Sequence, residues 1–304
     1  MIDKCLKTYN NLFVLWIVLG ALWAYFFPNT LIPLKKYMEL FFGLTMFGIG
    51  AVLQLKDFKN IIRSFWVVII GVCAQFTIMP FSAYMISKIC SLSKEFSLGL
   101  ILTGAAPGAM ASNVVCFLAG ADIAYSVSLT TVSTLLSPVF TPLLTFLLAK
   151  ETLNVPFWNM FWSVVKMVIM PLLLGFSVRH YFNKSVARIQ NIFPTLSVTF
   201  IVFICSLVIA LNKTYILQMN ISIFFVVVAL NFSGLFLGYL VGLTCNFDEL
   251  KKRALTIEIG MQNAGLGSVL ALKHFSEKTA LPAVIFVFVC IFTASILTQV
   301  WGRK

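Results

Sequence analysis

Charged residues are scarce in this chain of 304 residues. Asp, Glu, Lys and Arg together make up 11% of it, whereas 60% is hydrophobic and Phe alone occurs 30 times. A soluble domain is ordinarily about 25% charged, so this chain has too few polar side chains to cover the surface of a globule. The composition therefore excludes a soluble domain and indicates an integral membrane protein.

The alternation of apolar and polar residues that marks an outer-membrane barrel is also missing. Apolar runs of about 20 residues recur instead, and each is long enough for a helix to cross a hydrocarbon layer of ~30 Å. We therefore predict an all-α polytopic membrane protein with ten transmembrane helices. The predicted spans lie near residues 11–27, 37–55, 65–89, 94–120, 123–149, 157–178, 193–211, 220–245, 254–274 and 280–301.

Several other classes lack their usual signals. The net charge of +12 is scattered through short loops without a basic tract, which is typical of topology determinants and predicts no nucleic-acid partner. The seven cysteines include no C-x-x-C pair and are interpreted as packing thiols. His180 and His274 lie near span ends without a second ligand at metal-binding spacing. We therefore expect no cofactor and no obligate protein partner.

The first run, residues 11–27, could be a signal peptide or a span. No small-x-small cleavage site follows it, and Trp16, Trp23 and Tyr25 suit a helix anchored at the membrane interface, so we interpret it as a span. With ten spans both termini lie on one side. The loops and termini on that side carry 13 of the 22 Lys and Arg residues and the opposite loops carry eight, which predicts cytoplasmic termini in the inner membrane.

Two of the predicted spans contain helix-breaking residues. The fourth is interrupted between Gly104 and Asn113 by Pro107, and the ninth is predicted to break at Gly265 and Gly267. Proline removes an amide donor and glycine lowers helix stability, so we predict unwound crossings. A simple kink is the alternative.

The two interruptions fall in equivalent halves of the chain. A shift of 154 residues lays Lys94 on Asp248 and brings Pro107 onto Met261. Five spans in each half force the second half to enter the membrane in the opposite orientation. This arrangement predicts two inverted five-helix repeats whose broken helices, spans 4 and 9, cross near the midplane, as in inverted-repeat transporters.

Polar side chains gather at these interruptions. A charge at membrane depth costs about 3 kcal/mol or more, so Glu258 marks a functional site. A hard monovalent cation such as sodium needs several oxygen donors, and one group of residues could supply five. Gln262, one turn beyond Glu258, forms a second cluster if Gln75 approaches it; Gln75 could instead bond a neighbouring helix. A carboxylate between two cations would stay ionised. The five oxygen donors available to the first cation are Ser112, Asn113, Ser126, Thr130 and Glu258.

Three function classes are open to such a membrane protein. An ion channel needs a continuous polar pore, yet most spans lack a polar stripe. An intramembrane enzyme needs a nucleophile with its base, or metal ligands, and neither His lies at midmembrane depth. A secondary transporter, not an enzyme, fits best. Proton coupling, in which Glu258 titrates, remains the alternative to sodium coupling.

Together these motifs resemble the bile acid:sodium symporter (BASS) family, over essentially the whole chain. The resemblance lies in Pro107-Gly108 followed by Ser112-Asn113, in Ser126-x-x-x-Thr130, and in Glu258-x-Gly260-x-Gln262-Asn263. It implies a panel domain at about 11–63 and 157–211 and a core domain at about 65–150 and 220–302, with transport by motion of one against the other. It also implies sodium as the coupling ion. The first sodium would bind at Ser112, Asn113, Ser126, Thr130 and Glu258, and the second at Gln75, Glu258, Gln262 and the carbonyls of Ile259 and Met261.

The resemblance is less informative about the substrate. Family members that bind bile acids present polar side chains on the tenth helix beside the crossing, where this chain has Phe292 and Thr293. Asn263 and nearby main-chain amides could still receive a carboxylate. We therefore expect a small organic anion, such as a pantoate-like acid or a keto acid, ahead of a bile acid. The amides are those around Met110, Ala111, Gly265 and Gly267.

Overall fold

The structure, a computed structural model, describes residues 6, 9–10, 12–149, 155–190, 192–217 and 221–302. Within these residues the secondary structure is helical, apart from one isolated β-bridge. The helices are α1 (Phe13–Phe26), α2 (Met38–Val52), α3 (Leu55–Arg63), α4 (Phe65–Ile89), α5 (Lys94–Ala105), α6 (Ala111–Leu118), α7 (Ile123–Ala149), α8 (Phe157–Tyr181), α9 (Asn183–Ile189), α10 (Ile192–Leu211), α11 (Lys213–Ile216), α12 (Ser222–Thr244), α13 (Glu249–Gly260), α14 (Ala264–His274) and α15 (Leu281–Trp301).

In the part of the chain that the structure describes, six helices are long and apolar enough to cross a membrane, and a seventh span results if α1 and α2 are counted as one segment bent by 103°. This finding confirms a polytopic helical membrane protein. The ten predicted spans are not all continuous helices of that length, because α1 has 14 residues and α2 has 15. The six continuous spans are α4, α7, α8, α10, α12 and the segment Lys278–Trp301.

The chain forms two compact units. The first contains the described residues of Met1–Gln54 and Trp162–Met219. In this unit α2 and α8 lie backbone against backbone, because a Cβ added to Gly50 would sit 2.0 Å from the Leu172 carbonyl oxygen and one added to Gly175 would sit 2.0 Å from that of Phe47. Glycine is used here as in other membrane helix pairs, where small residues let the main chains approach.

The second unit contains the described residues of Leu55–Phe161 and Asn220–Lys304, and it carries the two broken helices. Its pairs α4 with α5 and α12 with α13 are close neighbours, and α7 packs on both α5 and α13. The amphipathic helix α3 packs on α7 within this unit.

The two broken helices begin in the same way. After α4, Ser91 takes a φ of 47° and the Leu92 amide donates to the Ser87 carbonyl over 3.0 Å. After α12, Asn246 takes a φ of 52° and the Phe247 amide donates to the carbonyl five residues earlier, that of Gly242, over 2.9 Å. Both are Schellman caps, with a left-handed residue just beyond the helix. Each is followed by a half-helix of 12 residues, α5 or α13.

Candidate cation and anion site

Both interruptions are short segments of extended chain. Helix α5 passes through Gly104 and ends at Ala105, because Ala106 precedes a proline and is extended, with φ −68° and ψ 153°. Helix α13 ends at Gly260, and Met261 is extended, with φ −115° and ψ 98°. The break in the second half therefore lies at 261–263. The sequence placed it at Gly265 and Gly267, which lie inside α14.

Main-chain hydrogen bonds join the two interruptions. The Ala109 amide donates to the Met261 carbonyl over 2.9 Å, and the Asn263 amide donates to the Pro107 carbonyl over 2.8 Å. These bonds form an isolated antiparallel bridge between Gly108 and Gln262. Buried irregular backbone needs such partners at membrane depth, where water does not supply them. The two breaks therefore satisfy each other and meet at one point.

Glu258 lies at this meeting point, in the last turn of α13, and is completely buried. Its carboxylate accepts hydrogen bonds from the hydroxyls of Ser112 at 2.5 Å, Thr130 at 2.7 Å and Ser126. A buried carboxylate is costly unless it is paired or hydrogen-bonded, and these three donors compensate part of that cost. Ser112 also brings the carboxylate to the first turn of α6, where the helix dipole favours negative charge.

Each of these hydroxyls has a second acceptor within reach. Ser112 reaches the Ala109 carbonyl at 2.5 Å, and Thr130 reaches the Ser126 carbonyl at 2.9 Å. Ser126 reaches the side-chain oxygen of Asn113 at 2.7 Å. A hydroxyl has one proton and two lone pairs, so its proton can turn to the second acceptor while its oxygen faces a cation. The structure thus brings together all five residues predicted for the first cation.

The residues predicted for the second cation form a chain of amides. Gln75 donates to the side-chain oxygen of Gln262 over 2.7 Å, and Gln262 donates to the Ile259 carbonyl over 2.8 Å. Both glutamine side chains are buried. The Gln75 side-chain oxygen has no hydrogen-bond partner among the described residues. The carbonyl of Met261 belongs to the same turn, where it already accepts the Ala109 amide.

The residues predicted for an anion lie at the starts of α6 and α14. Met110 is the half-buried residue before α6, and Ala111 is the exposed first residue of that helix. Asn263 caps α14, since its side-chain oxygen accepts the Leu266 amide over 3.1 Å. This bond leaves the side-chain amide nitrogen of Asn263 as a donor.

Only part of the second helix start can receive an anion. The Gly267 amide donates to the Asn263 carbonyl over 3.3 Å, and Gly265 and Gly267 are both buried. A carboxylate at this end would therefore meet the side-chain amide of Asn263 first. Gly267 belongs to the helical ladder and does not offer a free donor.

Phe292 and Thr293 are not hydrogen-bonded to the crossing. The side chain of Phe292 is 68% exposed. The Thr293 hydroxyl is buried and bonds the carbonyls of Val289 and Cys290 in its own helix, both at 3.1 Å. These positions give no polar contact to the broken helices.

Sequence reasoning missed two residues that support the interruptions. The Asn231 side chain donates to the Gly260 carbonyl over 2.8 Å, and the Thr141 hydroxyl donates to the Ala105 carbonyl over 2.8 Å. Both carbonyls end a half-helix. Asn231 carried a signal that could have been used, because it is a single carboxamide within an otherwise apolar span.

Comparison with known proteins identifies the family. The model of the sodium bile acid symporter family matches residues 39–219, which is more than half of the chain. The chain belongs to the sodium bile acid symporter family. The family match ends before α12, and the relatives that match this chain over most of its length also cover the second interruption.

Three relatives illustrate the range of this symporter family. An uncharacterized sodium-dependent transporter of Bacillus subtilis, YocS, is 41% identical over 96% of this chain and 91% of its own length. A probable chloroplastic sodium/metabolite cotransporter of Arabidopsis thaliana, BASS1, is 32% identical over 97% of this chain and 74% of its own length. The ileal sodium/bile acid cotransporter of Oryctolagus cuniculus is 26% identical over 86% of this chain and 76% of its own length.

Membership of the symporter family decides between the function classes. The family and these relatives are transporters, so the prediction that the chain is not an enzyme is confirmed, and so is the predicted resemblance. A channel is set aside on the same ground. The chain is a multi-pass membrane transporter of a sodium symporter family.

Proposed function

We propose that this chain is a sodium-coupled symporter of a small organic anion, working by alternating access between a core and a panel domain. One observation carries the proposal. A fully buried carboxylate, Glu258, lies where two broken helices meet and is surrounded by hydroxyl and amide oxygens. The family and the sodium-dependent relatives support sodium as the coupling ion.

The first sodium is assigned to Ser112, Asn113, Ser126, Thr130 and Glu258. These side chains offer only oxygen to a cation, apart from the asparagine amide nitrogen, and hard cations prefer oxygen. The second acceptors of the three hydroxyls support this assignment, since the hydroxyl protons keep a partner when the oxygens turn to sodium.

The second sodium is assigned to Gln75, Glu258, Gln262 and the carbonyls of Ile259 and Met261. The buried side-chain oxygen of Gln75, which lacks a partner among the described residues, supports this site. A carbonyl has two lone pairs, so Ile259 and Met261 can each keep their present donor and still face a cation. The same crossing would therefore hold both ions through one carboxylate.

Charge balance links the ions to the substrate. Two sodium ions and one ionised Glu258 leave one positive charge at a place where an uncompensated charge is costly. A monocarboxylate bound beside Met110, Ala111 and Asn263 would neutralise it. The substrate would then bind well only after both sodium ions, which is the requirement for symport. The apolar Phe292 and the Thr293 hydroxyl, which is engaged within its own helix, favour a pantoate-like acid or keto acid over a bile acid.

The proposed architecture has ten spans in two inverted repeats of five. The matched Schellman caps and the 12-residue half-helices α5 and α13 support the repeat, with an offset of 155 residues between the first residues of these helices in place of the 154 inferred from sequence. We assign the panel to about 11–63 and 157–211 and the core to about 65–150 and 220–302. We place the protein in the inner membrane with both termini cytoplasmic, on the distribution of Lys and Arg.

The test has two stages. A thermal-shift screen of small carboxylates and bile salts, with and without sodium, identifies the substrate, because a ligand at about 100 times its Kd stabilises the folded state by about 2.7 kcal/mol. Uptake of that substrate into proteoliposomes is then measured at fixed pH with sodium or choline outside. Sodium-dependent uptake is expected; undiminished uptake in choline would favour proton coupling and contradict the proposal.

Glu258→Gln provides the matched test of the carboxylate. The amide keeps the shape of the side chain and removes its charge, so we expect a folded protein without sodium-driven uptake or sodium-dependent thermal shift. Glu95→Gln, the same change in the first turn of α5, serves as the control and should leave both unchanged. Retained sodium dependence in Glu258→Gln would refute the assignment.

A further inference from the structure

Asn231 is a buried carboxamide outside the set of residues assigned above. It is completely buried in α12, and its side-chain nitrogen donates to the carbonyl oxygen of Gly260 over 2.8 Å. Its side-chain oxygen has no partner among the described residues. A fully buried carboxamide with one unpaired atom destabilises a membrane span. We therefore ask what the hydrogen bond to Gly260 contributes that would compensate for this cost.

That bond reaches the end of α13. The last carbonyls of a helix lack partners within it, and their direction is set by whatever outside group they meet. The Ile259 carbonyl is held by Gln262 and the Met261 carbonyl by the Ala109 amide, both from within the crossing. The carbonyl between them, that of Gly260, is held by Asn231 from outside the crossing.

The contact is also tightly constrained in space. One turn after Asn231, a Cβ added to Gly234 would lie 3.0 Å from the Ile259 carbonyl oxygen and 3.3 Å from the Gly260 Cα. Helix α12 therefore touches the end of α13 with its main chain at Gly234. The carboxamide next to this contact approaches the Gly260 carbonyl from a fixed position.

The first half of the chain repeats the arrangement. Gln75 of α4 has its side-chain nitrogen 3.4 Å from the carbonyl of Ala106, at the end of α5, besides its shorter bond to Gln262. Helix α4 precedes α5 along the chain as α12 precedes α13. Each half thus directs one carboxamide at the terminal carbonyls of its broken helix, and each carboxamide oxygen lacks a partner among the described residues.

We infer that Asn231 is a positioning residue for the second sodium site: by holding the Gly260 carbonyl it fixes the turn that directs the Ile259 and Met261 carbonyls at the ion. The inference rests on the proposed function. Asn231 itself touches neither sodium nor substrate. Without the Asn231 side chain the turn at 259–261 is no longer held, so the affinity for the second sodium falls. Binding at the first sodium site, at Ser112 and Thr130, is unaffected.

The test compares Asn231→Leu with Asn212→Leu. Asn212 is also buried, and its side-chain nitrogen donates to the carbonyl of Val208, one turn earlier in the chain, over 2.9 Å; both residues belong to the other compact unit. Sodium is titrated in uptake and in thermal shift of the purified proteins. For Asn231→Leu we expect the half-saturating sodium concentration to rise about fivefold, the change that loss of one ordinary hydrogen bond produces. The sodium curve should become less steep, and the maximal rate at saturating sodium should stay near that of the unaltered protein.

Each other outcome has a defined meaning. Unchanged half-saturation and steepness in folded Asn231→Leu would overturn the inference, and so would an equal shift in Asn212→Leu. If Asn231→Leu does not fold, Asn231→Ser, whose hydroxyl is too short for the Gly260 carbonyl, replaces it; if neither folds while Asn212→Leu does, the role is structural and the inference is wrong. Lack of any sodium dependence in the unaltered protein would instead refute the proposed function.

Discussion

The close approach of Gly108 to Glu258 predicts a large effect from one added methyl group. A Cβ at position 108 would lie 2.8 Å from the carboxylate oxygen Oε2 of Glu258. Ordinary contacts between such atoms begin at about 3.5 Å, so Gly108→Ala requires a displacement of about 0.7 Å. The φ of Gly108 is not positive, so alanine fits the backbone and the effect comes from this contact.

The carboxylate has little room to move away. Oε2 accepts the Thr130 hydroxyl at 2.7 Å, and a displacement of about 0.7 Å would lengthen this bond to the limit at which hydrogen bonds are effective. A hydrogen bond to a charged group contributes about 1.5–3 kcal/mol. At 1.4 kcal/mol per factor of ten, sodium binding should weaken by roughly tenfold to a little over a hundredfold.

Sodium titration of uptake and of thermal stability measures this effect. Gly43→Ala is the matched control, because a Cβ there would make only an ordinary contact, 3.6 Å from Pro171. Its sodium dependence should not change. The half-saturating sodium concentration of Gly108→Ala could instead stay within about twofold of that of the unaltered protein. The carboxylate would then be able to move without losing its hydrogen bonds, and the reasoning would be refuted.

Two further predictions concern other parts of the site. Gln75→Ala removes a proposed ligand of the second sodium only, so the sodium dependence of substrate binding should become less steep; unchanged steepness in an equilibrium titration would argue against that ligand. Asp248 caps α13 through the Lys251 amide at 2.9 Å, and a hydrogen bond from the Lys251 side chain holds the pKa of Asp248 below its usual value. Because the pKa is lowered in the folded state, this stabilisation is present above about pH 3.9 and is lost as the pH falls through the folded-state value. Asp248→Asn, which keeps the cap acceptor, should therefore flatten the fall of Tm at acid pH, and a fall as steep as that of the unaltered protein would contradict this contribution.

The continuous spans could be predicted from sequence because their signal is local. Hydrophobic runs predict spans near 65–89 and 123–149, and these bounds coincide with those of α4 and α7. The end of α5 could be anticipated as well, since Pro107 acts on its immediate neighbour. The charged and polar residues of the crossing were found for the same reason: Glu258 is conspicuous within an apolar segment.

Features that depend on distant contacts could not be predicted in this way. Gly265 and Gly267 suggested a break, yet both fit inside α14, whereas Met261 is held extended by the Ala109 amide, more than a hundred residues earlier in the chain. The lone carboxamide of Asn231 is visible in the sequence, but its contact with the Gly260 carbonyl is not, because the two residues lie in different helices. The predicted repeat gives Pro107 and Met261 equivalent positions, but it does not show which amide bonds which carbonyl between the two interruptions.

The bridge between the two interruptions consists of peptide groups alone, those of Pro107, Ala109, Met261 and Asn263. Every residue has a main-chain carbonyl and every residue except proline has an amide hydrogen, so these two bonds do not depend on which side chains Ala109, Met261 and Asn263 carry. The residues around this frame can therefore differ between members of the family while the frame itself is inherited unchanged.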